Sequence, residues 1–326
     1  MAFRLKLVPQ DTRIDFFRWQ FVTFGISSAM AILSVVVLVI YGLNFGIDFR
    51  GGTTIRTEST QPVDVGVYRQ ALSPLGLGEV AITQVYDPGF RADQHVAQVR
   101  ISAQEGAESV TPETVAAVEA ALKTVDPAVS FPSVESVGPK VSGELIQTAI
   151  YAVLASLIAI SIYIWLRFEW QFAAGAIVSL LHDVLITMGV FALFQIRFDL
   201  TTIAALLTIV GYSINDTVVV FDRLRENLMK FKKRALREVM NLSVNETLSR
   251  TVMTSGTTLV ALIALLVLGG DVIRGFVFAI TFGIVIGTYS SIYVAKNVVL
   301  WLGVKRDWSK KDRSDDGSPF SGAEAP

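Results

Sequence analysis

The chain has 326 residues, 52% of them hydrophobic and 17% charged, and its mean hydropathy of +0.52 exceeds what a soluble core of that size requires. A net charge of -1 leaves no broad basic surface for nucleic acid. With no cysteine, disulfides and thiol chemistry are excluded, and two widely separated histidines, His95 and His182, give no basis for a His-built metal site or any other cofactor.

Residues 1–20 carry Arg4, Lys6, Arg13 and Arg18 ahead of the first apolar run. That run is long and no small-residue cleavage site follows it, so it reads as a retained anchor over residues 21–43. A spanning helix needs about 20 apolar residues, and such runs centre on 22–43, 145–166, 172–194, 200–221, 251–268 and 276–302. The expectation is a polytopic α-helical membrane protein with six transmembrane helices, five of them in a bundle over 144–302. A basic loop at 223–250 holds eight Lys or Arg, and the polar tail 303–326, expected to be disordered, holds five between 305 and 313. The opposite connections carry only Arg197 and Arg274, so the basic segments and both termini are expected to be cytoplasmic.

Between the first two helices, residues 44–143 have ordinary globular composition and read as one extracytoplasmic α+β domain. A β-type run at 53–58 is followed by a helix at 63–72 after Gln61 and Pro62, and then by strands at 80–86 and 95–102. Thr111 caps a helix with Pro112 at its first position, running to about Lys123, and 129–137 is the last strand. The order is βαββαβ, the ferredoxin-like split-βαβ arrangement.

An ionisable group in hydrocarbon costs a few kcal/mol, so each one in a span is a candidate functional residue. Asp216, in Gly211-Tyr212-Ser213-Ile214-Asn215-Asp216-Thr217, sits six residues before Asp222 and so about 9 Å inside the helix end. Its partner is expected to be Arg250, which starts the antiparallel fifth helix at similar depth. A cation that approaches and withdraws would switch the carboxyl between ionised and protonated forms, and a fixed polar pair gluing two helices would look the same in sequence. His182 and Asp183 lie mid-way along the third helix and point about 100° apart, so only one is expected to face the pathway. Histidine is a common proton shuttle, but a hydrogen bond to a neighbouring Ser or Thr explains the pair as well. Gly283 and Gly287 have the small-xxx-small spacing of close helix packing. The basic loop offers contact to anionic membrane lipids. No phosphate loop, nucleophile elbow or zinc-hydrolase signature occurs, so the chain is not expected to be an enzyme.

Gly46-Ile47-Asp48-Phe49-Arg50-Gly51-Gly52-Thr53, the stretch GYSINDTVVVFDRLREN at 211–227, Asn241 through Thr251, Thr254-Ser255-Gly256-Thr257-Thr258 and Gly287-Thr288-Tyr289-Ser290-Ser291-Ile292 resemble the SecD/SecF family of the bacterial protein-export translocase. The family lies in the resistance-nodulation-division superfamily, and the resemblance reaches from the first helix to about Trp301. It implies a location in the inner membrane and protons as the coupling ion, with Asp216, its neighbour Asn215 and Arg250 in proton transport and His182 and Asp183 as further candidates. It implies as partners SecD, the SecYEG channel and SecA, YajC, and preprotein substrates pulled outward by the proton-motive force. Arg50 departs from the family pattern, where a small hydroxyl residue is expected. A proton-driven exporter of small molecules or lipids, or a non-conducting scaffold of a channel complex, is the alternative.

Overall fold

The computed structural model describes residues 12–85, 90–102 and 111–304. Arg4, Lys6, Tyr86 and the tail beyond Val304 lie outside them. Six helices among the described residues are long and apolar enough to cross a membrane.

Helix α1 (Gln20–Tyr41) leads into a two-residue strand β1 (Asn44–Phe45) and a single helical turn α2 (Ile47–Arg50). The next two residues, Gly51 and Gly52, have φ of 69° and 117°. That conformation is open to glycine, and it lets the chain swing from α2 straight into strand β2 (Gly52–Ser59). Then come α3 (Val65–Leu72), β3 (Val80–Val85), β4 (His95–Ile101), α4 (Pro112–Val125) and β5 (Ser130–Val137). Helix α3, expected over 63–72, begins at Val65 because the Asp64 carboxylate caps it, accepting from the amides of Gly66 and Val67. Thr111 caps α4 by accepting from the Thr114 amide. The sheet order is β3-β4-β2-β5, antiparallel throughout, as a split-βαβ unit requires. Both helices cover one face, where Ile55, Val99, Ile101, Val118 and Leu122 are fully buried. Pro132 is tolerated because β5 is an edge strand and its register slips opposite Arg56 and Glu58.

The bundle continues with α5 (Pro139–Arg167), α6 (Trp170–Leu193), strand β6 (Arg197–Phe198), α7 (Leu200–Lys230) and α8 (Leu236–Leu268). The last span is α9 (Asp271–Ser290), a π-helical turn (Ser291–Ala295) and α10 (Lys296–Leu302). Helix α6 is the most enclosed of the six, touching α1, α5, α7, α9 and α10.

The basic segment 223–250, expected as a loop, is helical except for a short turn at 231–235. Its charges obscure an amphipathic spacing: Leu224, Leu228, Val239, Met240 and Val244 are buried together with Phe16 and Phe17 of the chain start. Asn227 donates to Ser243 (3.0 Å) and Glu246 (2.6 Å), joining the two helical arms. Asn241 and Asn245 grip the backbone of Ile14 and Phe16.

The domain is rooted in the bundle. Strands β1 and β6 pair in parallel, the Gly46 amide donates to Phe198 O (2.8 Å), and the Leu200 amide at the start of α7 donates to Asp48 (3.0 Å). Asp199 caps α7 in a capping box with Thr202. Burial alone would raise its pKa, but the Thr201 hydroxyl, the Thr202 amide and Arg197 outweigh it and hold the carboxyl below its usual value.

Candidate functional site

Asp216 lies on the buried face of α7, 3% exposed. Its Oδ2 accepts from Ser255 Oγ of α8 at 3.3 Å, and Ser255 Oγ lies 2.8 Å from Thr288 Oγ1 of α9. Three helices therefore meet at one carboxyl group through a short hydroxyl chain. Arg250 is exposed on α8, close enough for its charge to be felt at Asp216, yet no ion pair joins the two among the described residues. The expectation of equal depth needs correcting. Asp216 sits level with Ser255, five residues further along α8, or about 7.5 Å deeper than Arg250. Asn215, one residue before Asp216 and about 100° round the helix, is exposed and takes no part in the cluster.

The second carboxylate is Asp183 of α6, 1% exposed. Its Oδ2 accepts from Ser213 of α7 (2.6 Å) and Ser290 of α9 (2.8 Å), and Ser179 donates on to Ser290 (2.9 Å). Its Oδ1 lies 3.0 Å from His182 Nδ1. His182 and Asp183, expected to divide between the pathway and the protein interior, are both buried and bonded to each other. The cause is the enclosure of α6, whose two flanks both meet neighbouring helices. His182 Nε2 is buried without a hydrogen-bond partner among the described residues.

The two clusters share their scaffold. Ser213 and Asp216 are three residues apart, hence on one face of α7, and Thr288 and Ser290 both come from the end of α9. Between them Gly287 packs so closely that a Cβ there would lie 3.1 Å from Ser213 Cβ and 3.5 Å from Asp183 Oδ2. One turn earlier a Cβ on Gly283 would collide with Ile209. This is the close approach that the Gly283–Gly287 spacing predicts. Ser290 immediately precedes the π-helical turn, a feature frequent at functional sites because it re-phases a helix. Ser213, Ser255, Thr288 and Ser290 are not singled out in sequence as partners of the carboxylates, although all four stand inside quoted motifs.

Six spanning helices, buried carboxylates shared among them and a split-βαβ domain rooted on one side define a polytopic membrane protein of transporter type. The family described as "Protein export membrane protein SecD/SecF, C-terminal" matches residues 117–305, and the "SecD/SecF GG Motif" matches 36–63, around Gly51 and Gly52. The chain is similar to proteins named protein translocase subunit SecF. The one from Cereibacter sphaeroides is 69% identical, with 100% of each chain covered. That from Rhodobacter capsulatus is 63% identical, over 98% of this chain and 100% of the relative. Among solved structures, SecDF of Thermus thermophilus, described as a translocon-associated membrane protein, matches with a TM-score of 0.81 and 38% identity over 91% of this chain. Only 39% of that longer chain is spanned. The chain belongs to the SecF family.

Proposed function

We propose that this chain is a proton-coupled subunit of the protein-export translocase, using the proton-motive force to assist late preprotein translocation across the bacterial inner membrane. The observation that supports this most is Asp216, buried among three helices on a single hydroxyl donor, with Arg250 standing off nearby. A carboxyl group so lightly held has two partners to choose between. Protonated, it stays with Ser255; ionised, it attracts the guanidinium, and α7 and α8 must shift to bring them together. Each charge crossing the membrane supplies about 2.3 kcal/mol per 100 mV. Helix α7 is bonded to the root of the domain through Asp48, so its movement is passed to the βαββαβ unit. The basic end and both termini face the cytoplasm in this reading, and the chain carries out no covalent chemistry and needs no cofactor beyond the proton.

SecD is the expected partner. Exposed Thr208, Gly211 and Asn215 on α7 and Arg250, Thr254 and Thr257 on α8 form a small, polar surface that is costly against lipid and suited to close helix packing. The solved SecDF chain, more than twice as long, has room for such a second half. SecYEG and SecA begin translocation, YajC joins the assembly, and the preprotein is drawn out on the domain side.

The test is Asp216→Asn in cells depleted of the wild-type protein, with preprotein release measured with and without a proton gradient. The variant is expected to insert normally and lose gradient-dependent release by tenfold or more, about 1.4 kcal/mol or greater in coupling. Undiminished release would remove Asp216 from the mechanism, and gradient-independent rescue by the variant would make the chain a scaffold. Drug or lipid accumulation without preprotein accumulation would make it an exporter.

A further inference from the structure

The helix-free face of the domain's sheet looks down on the bundle across a cavity of about 600 Å³. Arg56, Gln98 and Glu135 form its roof, Arg197, Asp199 and Arg274 its wall, and Leu266, Val272, Phe276 and Phe278 its floor. Arg100 stands beside it: Thr54 and Arg100 are directly opposed in the sheet, as are Arg56 and Gln98, so both arginines leave the same face. Arg100 is tied to the bundle by a long 3.4 Å bond to Phe45 O. Burial first, then the positive charges of Arg197 and Arg50, hold its guanidinium below the usual value.

Among the described side chains, three arginines and two carboxylates line the cavity with Arg100 beside it, and Asp199 is held by Arg197 (3.1 Å) and by the α7 cap. Arg50, the departure from the family pattern, adds a fifth cation nearby. The floor is of the opposite character. It belongs to spanning helices and adjoins exposed apolar side chains at Val267, Leu268 and Val272, which are 54%, 82% and 70% exposed. A cationic upper half on an apolar lower half, at the level where helices leave the membrane, matches an anionic amphiphile. A free anion has no use for the floor, and an extended polypeptide has no use for the exposed apolar side chains beside it.

We propose that this cavity binds an anionic phospholipid of the leaflet facing the domain, its phosphate headgroup held by Arg56, Arg197 and Arg274 and its acyl chains leaving over Val272 and Phe276. The lipid then bridges domain and bundle.

Full-length protein in detergent is titrated with dioleoyl phosphatidylglycerol, dioleoyl phosphatidylcholine or inorganic phosphate, and retained ligand is counted by native mass spectrometry. Wild type is expected to keep one phosphatidylglycerol about tenfold more tightly than Arg56→Gln/Arg274→Gln, the loss of about one charge-assisted contact. Ser133→Glu, which adds a negative charge to the roof on an edge strand, is expected to do the same and decides the matter if the double variant does not fold. Phosphatidylcholine is expected to be held equally weakly by all. Equal phosphatidylglycerol retention in wild type and variants overturns the proposal, as does binding of inorganic phosphate with phosphatidylglycerol excluded. So does a third result, in which the substitutions weaken binding of a reduced, carboxymethylated unfolded protein while lipid retention stays unchanged.

Discussion

Asp183 and Asp216 lie in one bundle, on helices that touch, and are equally hidden, yet their surroundings differ. Asp183 is gripped by two hydroxyls and an imidazole at 2.6 to 3.0 Å, supplied by its own helix and two others. Asp216 has one hydroxyl at 3.3 Å and a cation that does not reach it. A buried charge with its partners in place is rigid, because every donor it releases is left unsatisfied in a low-dielectric interior. One with a single weak donor loses little on changing partner. The contrast makes Asp183 the more firmly held of the two and supports the proposal that Asp216 is the one that changes partners.

Asp183→Ala should have the largest effect, stranding Ser213, Ser290 and His182 and costing about 3–5 kcal/mol. Thermal unfolding in detergent would show it, and a loss under about 1 kcal/mol would dissolve the distinction. Asp199 lies between the extremes as a carboxylate held by several donors at the membrane border. Asp199→Ala should cost about 1 kcal/mol as a lost helix cap. Because its folded pKa is depressed, its contribution is present above the ordinary carboxylate pKa of about 3.9 and disappears as pH falls through the lower folded value. Between pH 6 and pH 3, the unfolding temperature of Asp199→Ala should therefore fall less than that of wild type. Asp216→Asn should have the smallest effect on stability, under about 1 kcal/mol, while abolishing coupling. If it unfolded the protein as Asp183→Ala does, the two sites would be alike.

The spans and the βαββαβ order are legible in sequence because each rests on a local signal: unbroken apolar runs, alternation, and caps such as Thr111 followed by Pro112. The helical arms across 223–250 are not, since dense Lys and Arg hide the four-residue spacing of Leu224 with Leu228 and of Met240 with Val244. Asp216 is legible as an anomaly, but its partner is not. Depth along two antiparallel helices depends on where the turn between them falls, and a turn at 231–235 places Ser255, not Arg250, opposite the carboxyl. The hydroxyls around Asp183 are invisible for a related reason: serine is common in spanning helices, and only the packing of α6 against both α7 and α9 tells which ones converge. Ser290 beside Gly287 was the available hint, a polar residue on the face that the glycines mark as close-packed.

Because the amide of Leu200 is bonded to Asp48 and β6 is zipped to β1, the first residue of α7 belongs mechanically to the domain while the seventeenth is Asp216. About 24 Å of unbroken helix connects them, with no hinge glycine or proline other than the lone Gly211. Such a strut resists compression and stretches little, so under the proposed coupling a step of a few ångströms at the acid would arrive at the foot of the sheet nearly undiminished. Under that coupling no separate linkage between engine and arm is needed; one helix serves as both.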